Sequence, residues 1–149
     1  MIESAIAAPV AIADTSGLLA FFDQSEPEHK GCRAAMATLS HAVISPMVLA
    51  ELDYLLTTGI SADAAEQALD YVIGQSAIER FEVPDIGPEL AAAQVVMRRH
   101  SEIGLTDAMN VALAATFRTN VILTLDRKHF RALRPLFGEK YFRLLPDDL

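Results

Sequence analysis

Cysteine occurs once in 149 residues, at Cys32. One thiol forms no internal disulfide, and no Cys/His set stands at zinc-ligand spacing, so neither a disulfide scaffold nor a structural zinc is expected. Long apolar runs are also lacking. The stretch Ala5 to Ala13 is broken by Pro9 and falls far short of the roughly 20 residues that span a bilayer. The opening Met1-Ile2-Glu3-Ser4 has no basic start of the kind a secretory signal needs. These absences predict a cytoplasmic protein with no membrane partner. No Gly-rich phosphate loop follows any apolar run, which argues against a nucleotide-binding enzyme. No Gly-x-Ser-x-Gly turn surrounds Ser16, so a serine nucleophile has no support. Repeats, low-complexity tracts and Pro/Gly/Ser-rich linkers are missing as well. With 52% apolar residues, the chain reads as one folded domain over 1–149.

Basic side chains are scarce, 12 against 20 acidic, for a net charge of −8. That balance alone disfavours a nucleic-acid partner. Its distribution is uneven, however. Residues 1–97 carry 3 basic and 14 acidic side chains, a net of −11, whereas residues 98–149 carry 9 and 6, a net of +3. The segment 127–134 gathers Arg127, Lys128, His129, Arg131 and Arg134. It reads either as a solvated helix face or as a phosphate-contacting rim beside an acidic site.

Short apolar strands alternate with helices along the chain. Strands are predicted at Val10–Ala13, Ala42–Ile44, Ile78–Val83, Val121–Leu125 and Phe142–Leu145. Helices are predicted at 17–23, 27–39, 46–59, from Ser61 to a closing Gly74, 88–99 and 107–117. Ser45-Pro46 is an N-cap followed by proline at the first helical position. Ser61 caps the next helix, with Ala65, Leu69, Val72 and Ile73 inward. Thr106 is expected to cap the helix of Ala108, Val111, Ala112 and Ala115. Strands joined by helical crossovers imply an α/β fold, with a mainly parallel sheet covered on both faces. Ligands of such sheets sit outside the carboxyl ends of the strands.

Asp14 directly follows the first strand and Asp126 the fourth, so both belong at that edge. Glu51 and Asp107 lie near the starts of helices that begin there. Each acid also has a purely structural alternative. Asp14 and Asp126 suit local turns or caps, Asp107 suits the positive pole of its helix, and Glu51 suits a solvent-facing position. Against the last stands its setting among Val48, Leu49, Leu52 and Leu55, a poor place for an acid without a partner. Asp53, two residues on, faces roughly the opposite side. His29, His41, His100 and His129 show no metal or triad spacing and read as surface or packing residues.

Asp14-Thr15-Ser16 after the first strand, the Pro46…Glu51 helix, Thr106-Asp107-Ala108…Ala112…Ala114-Ala115, and Thr124-Leu125-Asp126…His129-Phe130 together resemble a PIN domain. More narrowly, the chain is similar to the VapC ribonuclease toxins of toxin–antitoxin pairs, from about Val10 to Leu145; residues 1–9 exceed what that family usually needs, which implies a frayed tail. The resemblance implies a three-layer α/β/α fold. It also implies a catalytic tetrad of Asp14, Glu51, Asp107 and Asp126 that binds Mg²⁺ or Mn²⁺ and hydrolyses RNA. On that basis Asp14, Asp107 and Asp126 are the metal ligands, and Glu51 orients or deprotonates the attacking water. Thr15 and Ser16 match the family's hydroxyl after the first acid. Asn110 stands where some relatives carry a further acid, which leaves the number of ions, one or two, open. A cognate antitoxin, an RNA substrate such as transfer or ribosomal RNA, and a homodimer are the implied partners. Two rival readings remain at this level: a PIN-like module that binds RNA or protein without cutting, and a phosphatase on a Rossmann-like sheet.

Overall fold

Val10–Ala13 (β1) is a short β-branched and alanine run whose residues alternate between two apolar layers. In the computed structural model, which describes residues 9–149, it is the central strand of a five-stranded sheet. The tail expected over 1–9 lies, Pro9 apart, outside the described residues. The other strands are His41–Val43 (β2), Phe81–Glu82 (β3), Val121–Leu123 (β4) and Arg143–Leu145 (β5). Their order is β3-β2-β1-β4-β5, and every pairing is parallel. All five carboxyl ends therefore share one edge, with β1 and β4 side by side.

Helices cover both faces, as the alternation of side chains requires. Ala11, Ala13, Leu123 and Leu145 pack beneath Thr15–Phe22 (α1), His29–Ala37 (α2), Pro46–Gly59 (α3) and Ala62–Ala77 (α4). Ile12, Ile122 and Leu144 face Leu90–Arg99 (α5, entered by a 3₁₀ turn at Gly87–Glu89), Leu105–Thr116 (α6) and Arg127–Ala132 (α7). This is the three-layer α/β/α arrangement expected.

The caps at Ser45 and Ser61 form as read: their hydroxyls accept from Met47 N at 3.2 Å and Ala64 N at 3.0 Å. Elsewhere tertiary packing overrides local signals. Gly74 does not close α4, which runs on to Ala77; an interior glycine costs only about 1 kcal/mol. The buried stripe of α4 is Ala65, Ala68 and Val72, while Leu69 and Ile73 are exposed. Thr106 is no cap. It lies within the first turn of α6, behind Gly104, and that helix has no side-chain cap. β3 is only two residues long, and Ile78, expected in it, is exposed.

One contact sets how closely α1 approaches the sheet. A Cβ at Gly17 would lie 2.5 Å from the Leu123 carbonyl oxygen and 2.8 Å from its carbon. Only a residue without a side chain lets this first turn meet the end of β4.

Candidate metal-binding active site

The backbone N–H of Asp14 donates to the Leu123 carbonyl at 2.9 Å, tying the end of β1 to β4. Its carboxylate is buried, 5% exposed, and makes no capping bond to α1. Oδ2 accepts from Thr124 Oγ1 at 2.8 Å and from Ser16 Oγ at 3.4 Å; Oδ1 accepts from Asn110 Nδ2 at 3.2 Å. The same hydroxyls brace the turn after β4. Thr124 Oγ1 accepts from Asp126 N and Ser16 Oγ from Leu125 N, both at 2.9 Å. Thr15, Ser16 and Asn110 thus hold the acids of this edge. Burial pushes the Asp14 carboxyl pKa up; the Thr124 hydroxyl and Thr15 amide oppose that, and Asp126 and Glu51 add repulsion.

Asp126 takes the capping role foreseen for it and also stands at the acidic edge. It caps α7 by accepting from His129 N at 3.1 Å, and its charge still reaches Asp14 and Asp107. Asp107, in the first turn of α6, accepts no hydrogen bond among the described residues. Its pKa rises from the ordinary 3.8 to about 6, first through burial, then through the charges of Asp14 and Asp126, with His129 opposing and Glu51 adding a little.

Glu51 is at the edge for a different reason from the one its neighbours suggested. Val48 and Leu52 point into the core, whereas Glu51 itself is exposed. Thr15 Oγ1 tethers it, donating to Oε1 at 2.5 Å. All four acids therefore gather at one edge, near enough for Asp107 to feel the other three.

His129 corrects the sequence reading, which assigned it to surface or packing. Its Nδ1 is 2.8 Å from Asp126 Oδ2 and 3.8 Å from Asp107 Oδ2. Asp107, Asp126 and His129 are the group whose ligand atoms all lie within 4.8 Å of one another; Asp14 is not part of it. The missed signal was the three-residue step from Asp126, which places both side chains on one face of α7. The hydrogen bond to Asp126 and that charge raise the His129 pKa.

The basic rim is largely spoken for. Arg127 donates to both oxygens of Glu28 and both of Asp147, and Arg131 pairs with Asp148 through two bonds at 2.7 and 2.8 Å. Arg134 lies over the Tyr141 ring, 5.5 Å from its centroid. Lys128 is exposed and makes no ion pair among the described residues. Arg127 and Arg131 are thus not the free phosphate contacts suggested by their position in sequence.

The donors suit a hard divalent cation. They are mainly carboxylate oxygens, they repel one another without one, and Asn110 Oδ1 is buried beside them with no donor. A pH dependence follows. The folded pKa of Asp107, about 6, lies above the ordinary 3.8, so the folded state takes up the proton first. Its destabilising charge is fully present above about 6 and gone below about 4. Asp14 acts in the same direction. With chelator present, the melting temperature should rise as pH falls from 7 to 5, and Asp107→Asn should flatten that slope. The carboxyl of Asp148, held at about 2 by Arg131, loses its contribution only below this window.

A parallel sheet with an acidic carboxyl edge defines a class. The PIN-domain family model matches residues 11–134, and the chain belongs to that family. More narrowly, it is VapC-like. It is 42% identical over 134 residues to Ribonuclease VapC26 of Mycobacterium tuberculosis, covering 87% of this chain and 96% of that protein. Two crystal structures share the fold. One is Mycobacterium tuberculosis VapC20, described as a sarcin-ricin loop cleaving toxin, with a TM-score of 0.69 and 20% identity over 78% of this chain and 89% of that one. The other is Rickettsia felis VapBC2 bound to a DNA fragment from its promoter, with a TM-score of 0.63 and 19% identity over 89% and 98%. Among the described residues no helix is long and apolar enough to cross a membrane.

Proposed function

We propose that this chain is a metal-dependent endoribonuclease acting as the toxin of a toxin–antitoxin pair, with structured RNA such as transfer or ribosomal RNA as substrate. The observation that carries the reading is the gathering of Asp14, Glu51, Asp107 and Asp126 at the carboxyl edge, with Asp107 driven up to about 6 by burial and by the other three. The similarity to Ribonuclease VapC26 supports it.

Asp14, Asp107 and Asp126 would hold Mg²⁺ or Mn²⁺. The bound cation supplies Lewis acidity, lowering the pKa of water and neutralising charge on the phosphate and the leaving oxygen. Asn110, Thr124 and Ser16 fix the Asp14 carboxylate before substrate arrives, so no reorganisation is needed during reaction. Glu51, its Oε1 steadied by Thr15, orients the attacking water and accepts its proton. In-line attack breaks the bond to the 3′ oxygen, which takes up a proton and leaves as a 3′-hydroxyl, with a 5′-phosphate on the other fragment.

A cognate antitoxin would silence this edge, most directly by sending a basic side chain among the carboxylates. A cytoplasmic homodimer within that complex completes the reading. The test is chemical. Incubated with RNA, the protein should cut with Mg²⁺ or Mn²⁺, stop in EDTA, resume when the ion is restored, and leave 5′-phosphate ends. RNA binding without cutting would favour a non-catalytic module instead, and phosphate release from small esters a phosphatase.

A further inference from the structure

His29 and His41 spend Nδ1 on the carbonyls of Ala20 and Glu79, away from the acidic edge. His129 alone among the described histidines turns Nδ1 to two of the four acids. An octahedral ion with ligands at about 2.1 Å sets neighbouring donors about 3 Å apart and opposite donors about 4 Å apart. His129 Nδ1 stands 2.8 Å from Asp126 Oδ2 and 3.8 Å from Asp107 Oδ2, and the three ligand atoms lie within 4.8 Å of one another; a bound ion would take the place of the proton held in the hydrogen bond to Asp126.

The hydrogen bonding divides the acids in the same way. Asp14 has both oxygens engaged by Thr124, Ser16 and Asn110. Asp107 accepts no hydrogen bond among the described residues, although its side chain is only 22% exposed. A buried acceptor beside Asp14 is also left without a donor. Asn110, whose amide reaches Asp14, is fully buried, and its Oδ1 has no partner.

We propose that His129 Nδ1 is a direct ligand beside Asp107 and Asp126, and that this nitrogen makes the edge select a first-row transition cation such as Mn²⁺ over Mg²⁺. Mg²⁺ takes oxygen ligands and keeps its waters, whereas imidazole favours transition ions. The inference rests on the metal-dependent reading above and narrows it: the ion is not chosen by carboxylates alone.

Pulsed electron paramagnetic resonance of the full-length protein loaded with Mn²⁺ tests this without any RNA. The wild type should show coupling of the manganese to an imidazole ¹⁴N, and His129→Gln should lose it. The same substitution should weaken Mn²⁺ binding at least about tenfold, while Mg²⁺, followed by competition, should shift less than about threefold. His129→Asn keeps a short polar side chain able to donate to Asp126; it too should lose the coupling and bring the Mn²⁺ to Mg²⁺ preference down. Absence of ¹⁴N coupling in the wild type overturns the inference, as does an unchanged preference in both variants. The two proposals separate cleanly. Bound Mn²⁺ with imidazole coupling but no RNA cleavage removes the ribonuclease reading alone. Metal-dependent cleavage without the coupling removes the His129 ligand alone.

Discussion

Asp14→Asn is expected to lower divalent-ion-dependent RNA cleavage by at least about 10²–10³-fold, the size seen when one preorganised electrostatic contact is removed from an active site. The fold should not suffer. Asparagine has nearly the same shape: its carbonyl can accept from Asn110 and its amide can donate to the Thr124 hydroxyl in a reversed bond, so only the longer contact from Ser16 Oγ, at 3.4 Å, is lost. What disappears is a carboxylate whose charge is disfavoured by burial and by Asp126 and Glu51. With chelator present the variant should therefore melt at or above the wild-type temperature, while gaining less stability from added Mg²⁺. Activity and melting measured together separate loss of the site from loss of the fold. Cleavage within about threefold of wild type, at saturating ion, would remove Asp14 from the chemistry; that margin is well below the expected effect.

Phe130→Ala should cost about 3–5 kcal/mol of folding stability, the usual range for a large aromatic truncated in a core. Phe130 is 1% exposed and meets Phe142 edge-on, with centroids 6.2 Å apart, beside Ile122, Leu133 and Leu144. Its importance follows from how little else holds α7. Six residues make too short a helix to persist alone, and the pairs of Arg127 and Arg131 are solvent-exposed, worth up to about 1 kcal/mol each. Equilibrium denaturation measures the loss. Phe130→Leu should recover much of it, since it restores apolar volume. A cost under about 1 kcal/mol would mean that the surface arginines, not the aromatic pair, fasten α7 to the sheet. Because α7 carries His129 and is capped by Asp126, Phe130→Ala should also weaken ion binding in the fraction that folds.

The strand-end rule made Asp14 and Asp126 legible, because β1 and β4 are adjacent and parallel; Asp14 follows the last residue of β1 directly, whereas β4 ends at Leu123, two residues short of the strand expected, and Asp126 stands in the turn after it. Ser45 and Ser61 were legible too, since capping depends on a few consecutive residues. Glu51 was placed correctly for a wrong reason: its apolar neighbours face the core and leave it in solvent, and Thr15, 36 residues away, is what binds it. Asp107 was reached through family resemblance, because nothing in its local sequence distinguishes a dipole partner from a site residue. His129 was hidden by its surroundings, a run of basic residues that reads as a rim. Only the folded turn shows that its ring points to Asp126 while Arg127 and Arg131 point to the C-terminal carboxylates. The helix errors share a cause. Leu69, Ile73, Gly74 and Thr106 carry strong local signals that the packing of α4 and α6 overrules.

The bare Cα of Gly17 works as a spacer of zero thickness. Since α1 meets β4 at the Gly17 main chain, against the Leu123 carbonyl and Cγ, and through Ser16 Oγ to Leu125 N, the gap between the turns bearing Asp14 and Asp126 depends little on the aliphatic residues farther off in the two layers. Turnover among Leu, Ile and Val elsewhere in the interior would loosen or tighten the domain with little effect on that gap. A single added methyl at position 17 would do the reverse, pressing on the Leu123 carbonyl and Cγ and moving the turns apart. Stability and site geometry can thus drift separately in this chain, with one residue as the point at which they are joined.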